Sequence, residues 1–280
     1  MRRSVRRVPD PQPPSPWSDL ERPPLSSTRL RRALVADGPW RELEVVARTA
    51  STNADLSARA RAGEPAGYVL IAEEQTAGRG RLDRSWQAPA RSSLLMSVLV
   101  RPQPASTTWT LLPFVTGVAV AEAVRAVGRV PAGLKWPNDV LVAGRKLGGI
   151  LVERVDSAVV VGIGLNVSLR AAELPVPTAT SVALAGGVAD REVLAKEVLR
   201  ALARRYDAWQ AADGASSAIL PAYSQICATI GWTVTVQLPG GDNVEGLVSG
   251  VDDTGRLVVM SSDGAMPVSA GDVVHVRRVD

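Results

Sequence analysis

The hydrophobic pattern of the chain changes near residue 228, and this change restricts the possible folds more than any other feature. Before it, short apolar runs alternate with stretches of helical spacing, such as the one from Leu194 to Trp209. From about Gly231 onward, alternating apolar runs are separated by turn residues at short intervals, a pattern typical of a small β-barrel. We therefore predict two folded domains, over 28–227 and 228–280.

The first domain has the predicted elements of an α+β fold. Helices are predicted over 28–37, 51–61, 111–127, 190–210 and 216–226, and strands over 43–46, 68–73, 93–100, 140–142, 149–153 and 158–163. Ser51 is suited to cap the second helix, and Pro113 lies in the first turn of the third, where proline is tolerated. The last three strands follow one another closely, which predicts an antiparallel meander.

The N-terminal residues 1–27 form a tail rich in proline and arginine, which we predict to be disordered. Residues 1–32 carry eight arginines and three acidic residues, a net charge of +5, so the rest of the chain carries −1 of the total of +4. The basic charge is therefore a property of the N-terminus. The folded part has no general positive charge for binding nucleic acid.

The chain contains one cysteine, Cys227, and one histidine, His275. This excludes an internal disulfide, a cysteine-rich zinc site and a histidine cluster for a transition metal. A metal would have to be a hard ion such as Mg²⁺, held by oxygen atoms. Catalysis must rely on arginine, lysine, carboxylates, amides and backbone groups. The chain has neither an apolar run of eighteen residues nor a secretory signal, so we expect a cytoplasmic protein without a membrane span.

Glycine and arginine alternate in a segment that follows a predicted strand. Gly78 and Gly80 flank Arg79, and Arg81 and Arg84 follow. Glycines let backbone N–H groups approach an anion, and guanidinium groups bind carboxylate and phosphate oxygens through two hydrogen bonds at once. The spacing fits neither the dinucleotide-binding fingerprint nor a P-loop. Taken alone, the segment is equally consistent with an anion-binding loop and with a solvated basic turn or an RG-type nucleic-acid segment.

Two of the three lysines lie close together and beside turn residues. Lys135 begins the run Lys-Trp-Pro-Asn-Asp, and Lys146 precedes a pair of glycines in a predicted turn. This proximity favours an anion site over two solvated lysines. Asn138 and Asp139 carry oxygens for a metal or an amine, although Pro-Asn-Asp is also a common turn. A third run, Gly-Ile-Gly-Leu-Asn, ends at Asn166, which could approach a metal–phosphate group or only cap a turn.

Five segments in this order resemble the motifs of one family, the biotin protein ligases. They are Ser-Thr-Asn (51–53), Gly-Arg-Gly-Arg with the Arg and Trp that follow (78–86), Lys-Trp-Pro-Asn-Asp (135–139), Lys-Leu-Gly-Gly-Ile-Leu-Val-Glu (146–153) and Gly-Ile-Gly-Leu-Asn (162–166). The resemblance implies a central mixed β-sheet flanked by helices, as in class II aminoacyl-tRNA synthetases, and a small C-terminal SH3-like β-barrel. Residues 28–50 are too few for the N-terminal winged helix-turn-helix of repressor-type members, so we expect a monofunctional ligase that does not bind operator DNA.

The resemblance also implies a reaction in two steps. Biotin and ATP would form biotinyl-5′-AMP, with Mg²⁺ accompanying the nucleotide, and the biotinyl group would pass to a lysine of a biotin carboxyl carrier protein of an acyl-CoA carboxylase, such as acetyl-CoA carboxylase. One alternative is a lipoate–protein ligase or transferase of the same fold, for which a longer apolar tunnel is expected. A second alternative, a nucleic-acid-binding protein, is disfavoured by the charge of −1 outside the tail.

The matched positions have implied roles. Biotin would be bound by Ser51, Thr52, Asn53, Gln75, Arg79, Gly80, Arg81, Lys146 and Gly149. ATP and the adenylate would be bound by Arg79, Arg81, Arg84, Trp86, Lys135, Asn138 and Asn166. The implied catalytic residues are Arg81, Lys135, Asp139, which would orient the incoming amine, and Lys146; the metal candidates are Asn138 and Asn166. The loop 76–86 would close over the adenylate.

Overall fold

The computed structural model describes residues 21–82, 84–238, 242–262, 264–269 and 271–278. Within these ranges the helices are α1 (Ser27–Arg31), α2 (Thr52–Arg61), α3 (Leu112–Ala123), α4 (Arg191–Ala211) and α5 (Leu220–Ile226). The strands before α4 are β1 (Glu42–Val46), β2 (Tyr68–Ala72), β3 (Gly78–Arg79), β4 (Ser85–Trp86), β5 (Ser93–Val100), β6 (Gly133–Lys135), β7 (Asp139–Val142), β8 (Arg145–Val155) and β9 (Ala158–Asn166). The strands after α5 are β10 (Trp232–Gln237), β11 (Asn243–Val251), β12 (Leu257–Ser261), β13 (Gly264–Val268) and β14 (Asp272–Arg278).

The predicted mixed sheet is confirmed. Seven strands pair in the order β1-β2-β5-β9-β8-β7-β6, in which β1 and β2 are parallel and every other pair is antiparallel. β2 and β5 are buried along their whole length, because helices cover both faces of the sheet. Leu70 packs against α2 in the smaller of two apolar cores, while its neighbours Val69 and Ile71 face the larger core that includes α3 and α4. The alternation of strand side chains between the two faces produces this division.

The second sheet is antiparallel, with the order β13-β12-β11-β10-β14. Its closure into an SH3-like barrel stays a prediction, as do the domain limits 28–227 and 228–280. Helix α5 ends at Ile226 and β10 begins at Trp232. A turn between β11 and β12 contacts the first part of the chain at Trp136 and Thr110.

The predicted disordered tail is too long at its C-terminal end. Its residues 1–20 lie outside the described residues, but residues 21–27 pack on the protein, and both Arg22 and Leu25 are buried. The Arg22 guanidinium pairs with Glu173, and the Leu25 N–H donates to the buried Glu73 carboxylate at 2.6 Å. These carboxylates are distant in sequence, so the composition of the tail gives no indication of them.

Three predicted boundaries differ from the structure for local reasons. The glycine pair 148–149 suggests a turn, but both residues lie within β8, where Gly148 approaches the backbone of β9 too closely for a side chain. The predicted helix 216–226 divides into a short 3₁₀ turn and α5, which has Pro221 in its first turn. The predicted loop around Arg79 contains a two-stranded hairpin of β3 and β4.

One described helical stretch, Ser106–Gly128, has the length and composition of a membrane span. It contains α3 and the short helical turns on either side. Of its most apolar window, 72% is buried inside the protein. Its apolar character is therefore explained by its position between the sheet and the helices α4 and α5.

Candidate functional site

A cavity of about 380 Å³ lies where the five sequence motifs meet. Ser51, Thr52 and Asn53 reach it from the N-terminus of α2, where the Ser51 side chain caps the helix. The hairpin β3–β4 and the strands β7, β8 and β9 supply further lining residues. Segments distant in sequence thus converge on one concave site, the usual form of a small-molecule pocket.

The structure brings together every predicted ligand-contacting or catalytic residue except one. The lining residues include Ser51, Thr52, Asn53, Gln75, Arg79, Gly80, Arg81, Arg84, Trp86, Lys135, Asn138, Asp139, Lys146 and Gly149. The exception is Asn166, which is buried at the end of β9 and is not among the lining residues. Its Nδ2 donates to the Thr180 carbonyl at 3.0 Å, and its Oδ1 accepts from Ser93 at 3.4 Å. A ligand contact at Asn166 would require these hydrogen bonds to open.

One end of the cavity is polar and neutral, and the fully buried Ser97 of β5, which is not among the lining residues, contacts two of its side chains. The Ser97 hydroxyl is 2.6 Å from Asn53 Oδ1 and 2.7 Å from Thr52 Oγ1. Gln75 Oε1 accepts from the Thr52 backbone N–H at 2.8 Å. The single proton of Ser97 is shared between these two oxygens, and the Thr52 hydroxyl donates its own proton to Gln75 Oε1 at 3.0 Å. The network holds the Asn53 and Gln75 side chains in fixed orientations.

Glu153 of β8 connects this polar end to the glycine–arginine hairpin. Its Oε2 accepts from Asn53 Nδ2 at 2.7 Å and from the Arg79 guanidinium at 2.8 Å. The second Asn53 amide proton is directed at the Leu151 carbonyl at 3.2 Å. Both amide protons of Asn53 are therefore used by the protein, and its predicted role in binding biotin is limited to its oxygen and to the shape of the wall.

The other end of the cavity is cationic. Lys146 Nζ lies 2.6 Å from Asp139 Oδ1, and Arg81 donates to Asn138 Oδ1 at 3.2 Å. The Lys146 side chain is 37% exposed and Asp139 22% exposed, so both are accessible to a ligand in the cavity. The contact between Arg81 and Asn138 joins the hairpin to the segment between β6 and β7.

Two glycines of β9 make room for these side chains. A Cβ on Gly162 would lie 2.2 Å from Asn53 Oδ1, and a Cβ on Gly164 would lie 2.6 Å from Trp86 Cε2. The Trp86 ring also lies beside Gly149, and the Lys146 ammonium is 6.0 Å from the ring centroid. The spacing Gly-x-Gly in a buried strand thus serves the close approach of two site residues.

Ser97, Glu153 and the second sheet are not among the predicted site residues. Ser97 had a detectable signal, because it is the one polar residue in the interior of the apolar run 94–100. Gln237 and Val273 of the second sheet also line the cavity, but neither residue type nor spacing distinguishes them in the sequence.

The described residues contain no group of three or more His, Cys, Asp or Glu that could hold a metal ion. Of the two metal candidates, Asn138 lines the cavity but already donates to the Ile150 carbonyl at 2.8 Å and accepts from Arg81. This donor set does not form a dedicated metal cage. It fits a Mg²⁺ ion that is bound mainly through phosphate and water.

The chain matches two family models. Residues 45–169 match the biotin/lipoate A/B protein ligase family, and residues 229–276 match the biotin protein ligase C-terminal domain. A biotin–[acetyl-CoA-carboxylase] ligase of Mycobacterium tuberculosis is 47% identical over 266 residues, which cover 92% of this chain and 98% of that protein. The corresponding ligase of Paracoccus denitrificans is 34% identical, over 82% of this chain and 98% of that protein. The structure of a biotin protein ligase from Aquifex aeolicus in complex with biotin and ATP superposes with a TM-score of 0.73 at 26% identity, covering 86% of this chain and 100% of that one.

Proposed function

This chain belongs to the biotin protein ligase family, and we propose that it activates biotin with ATP and transfers it to a lysine of a biotin carboxyl carrier protein. The cavity has a neutral polar end and a cationic end. This division supports the assignment of the biotin and ATP roles to specific residues. The described lining of the cavity includes five cationic side chains against one carboxylate, Asp139. The cations are Arg79, Arg81, Arg84, Lys135 and Lys146.

The neutral end suits the fused-ring head of biotin. A ureido group carries no charge, so it is best recognised by neutral hydrogen-bonding groups beside an apolar wall. Ser51, Thr52 and Gln75 supply the polar groups. Met96 and Ile163 line the same cavity and supply apolar surface.

The cationic end suits the first chemical step, which joins two anions. A biotin carboxylate oxygen forms a bond to the α-phosphorus of ATP, the bond from that phosphorus to the bridging oxygen breaks, and pyrophosphate leaves. Arg81 and Lys146 neutralise the negative charge that develops, and each such charged donor contributes about 3 kcal/mol to the transition state. Arg84 and Lys135 bind the polyphosphate, and Mg²⁺, held through phosphate and water, supplies further charge neutralisation when bound. The hairpin of β3 and β4 covers the anhydride and excludes water.

Asp139 serves the second step. The amine of the carrier lysine attacks the carbonyl carbon of the mixed anhydride, AMP leaves, and the amine loses a proton. Asp139 orients this amine, and because its Oδ1 is occupied by Lys146 at 2.6 Å, its second carboxylate oxygen is the one available to the amine. We propose that the protein acts in the cytoplasm, uses Mg²⁺ and modifies a carrier protein. We do not propose that it binds operator DNA.

The proposal is tested by incubating the protein with ATP, Mg²⁺, biotin and a biotin carboxyl carrier domain, and measuring the intact mass of the carrier. We expect the mass of one biotinyl group to be added, and no addition when ATP is omitted or when the target lysine is changed to arginine. Replacing biotin by lipoate separates the two activities that the matched family includes. Modification by lipoate instead of biotin, or no modification at all, would overturn the assignment.

A further inference from the structure

The turn between β11 and β12, residues 252–256, lies against the first part of the chain rather than in solvent. The Trp136 indole N–H donates to the Gly255 carbonyl at 3.0 Å. Thr110 donates to the Thr254 carbonyl at 2.9 Å, and Ser216 donates to Asp253 at 2.7 Å. The tip of this turn is therefore attached at three points, and one of them, at Gly255, is to a residue of the Lys-Trp-Pro-Asn-Asp segment.

The turn is built for this contact. The Asp252 carboxylate accepts from the backbone N–H groups of Thr254 and Arg256, both at 3.0 Å, which fixes the shape of the turn. Gly255 has a φ of +86°, a conformation that favours glycine. A Cβ at this position would lie 2.6 Å from the Phe114 ring, so the turn can approach Trp136 only with glycine there.

Trp136 belongs to a segment at the edge of the seven-stranded sheet. It follows β6, which is the edge strand of the seven-stranded sheet and pairs with β7 on one side only. The open side of β6 is contacted by the start of the second part of the chain, where the Ala228 N–H donates to the Leu134 carbonyl at 2.7 Å. The Trp136 backbone N–H donates to the buried Thr229 hydroxyl at 3.1 Å. Both N–H groups of Trp136 are thus bonded to residues beyond 228.

We propose that Trp136 is a positioning residue, through which the docked turn 252–256 holds Lys135 and Asn138 at the nucleotide side of the cavity. The inference rests on the proposed function, since it assigns Lys135 and Asn138 to ATP. Trp136 lies between these two residues and is 2% exposed. A shift of its ring therefore moves both of them, while the biotin side of the cavity, formed by α2 and β5, is unaffected.

The chain offers a matched control in Trp209 of α4. Trp209 is also buried, at 0% exposure, but its indole N–H has no hydrogen-bond partner among the described residues. Replacement of either tryptophan by phenylalanine removes similar volume from the interior. Only Trp136→Phe also removes a hydrogen bond, so the difference between the two variants measures the contact with Gly255.

The experiment compares Trp136→Phe, Trp209→Phe and the wild type in biotin-dependent exchange of pyrophosphate into ATP. For Trp136→Phe we expect the KM for ATP to rise about fivefold, because the loss of one hydrogen bond costs about 1 kcal/mol. Biotin affinity without nucleotide, measured by calorimetry, should be unchanged. In Trp209→Phe both quantities should match the wild type. Hydrogen–deuterium exchange of residues 134–139 should accelerate in Trp136→Phe alone.

Equal KM values for ATP in the two variants would overturn the proposal, as would a loss of biotin affinity in Trp136→Phe as large as the rise in the KM for ATP. Gly255→Ala disturbs the same contact from the opposite side, and it should reproduce the rise in the KM for ATP. If the wild type exchanges no pyrophosphate in the presence of biotin, the proposed function fails, and hydrogen–deuterium exchange still decides whether the turn holds Trp136.

Discussion

Replacing Gly162 by alanine should damage the biotin end of the cavity in a way that can be calculated. The new Cβ would lie 2.2 Å from Asn53 Oδ1, where ordinary contacts are 3.4 Å or longer. Gly162 is in β9, which is paired on both sides with β5 and β8, so the strand cannot move away. Asn53 must therefore shift by about 1 Å, because core packing leaves no other route to relieve such a clash.

That shift breaks two short hydrogen bonds of Asn53, to Ser97 at 2.6 Å and to the Glu153 carboxylate at 2.7 Å. A neutral hydrogen bond contributes about 1 kcal/mol and one to a charged group about 2 kcal/mol. We therefore expect the free energy of unfolding to fall by about 3 kcal/mol. The displaced amide also enters the cavity, and the dissociation constant for biotin should rise at least about tenfold, or about 1.4 kcal/mol.

Urea denaturation measures the first effect and calorimetric titration of biotin the second. The matched control is Gly250→Ala, in β11, where a Cβ meets nothing within 4 Å. This control should leave biotin binding unchanged and alter stability by about 0.5 kcal/mol or less. If Gly162→Ala behaves like Gly250→Ala in both assays, the packing argument for the Gly-x-Gly motif is wrong.

Three further outcomes are expected. Arg81→Ala should let the adenylate leak from the site, so that less biotinyl-5′-AMP remains bound after gel filtration; retention equal to the wild type would refute its role. Lys146→Ala should slow adenylate formation in single-turnover experiments by about two to three decades, while Lys196→Ala, outside the cavity, should not. The hydrogen bond from Arg29, together with Lys196, lowers the pKa of Glu192 to about 2; because this pKa is depressed in the folded state, the stability it contributes is lost as pH falls from about 4.5 towards 2. Glu192→Gln should flatten the slope of unfolding free energy against pH in that range, and an unchanged slope would contradict the assignment.

Residue type and order predicted which side chains meet at the site. Glycine or proline neighbours and the scarcity of lysine mark Arg79, Lys135 and Lys146 as unusual, but it is the resemblance to the ligase motifs that assigns them to one site. Ser97 could have been identified too, as a polar residue inside an apolar strand. These signals are local, and they survive without any knowledge of the fold.

The contacts that depend on register or on distant partners could not be predicted. Lys146 lies in a strand rather than in a turn, and of the two glycines that follow in β8, Gly148 allows the close approach of β9 while Gly149 lies beside Trp86. Asn166 lies two positions beyond Gly164, the last residue of β9 that lines the cavity, and is bonded to Thr180 instead. Gln237 and Val273 line the cavity because the second sheet packs beside the first part of the chain. No short sequence pattern predicts that packing.

The packing of residues 21–27 on the protein has a consequence for the design of truncated variants of this enzyme. The family match begins at residue 45, yet the buried Glu73 carboxylate receives the Leu25 N–H on one oxygen and Arg191 on the other. Glu73 lies two positions before Gln75, at the base of the hairpin. A shortened protein that starts at the family match would leave one oxygen of this buried carboxylate without its donor, so a minimal active fragment has to retain at least the chain from Leu25 onward.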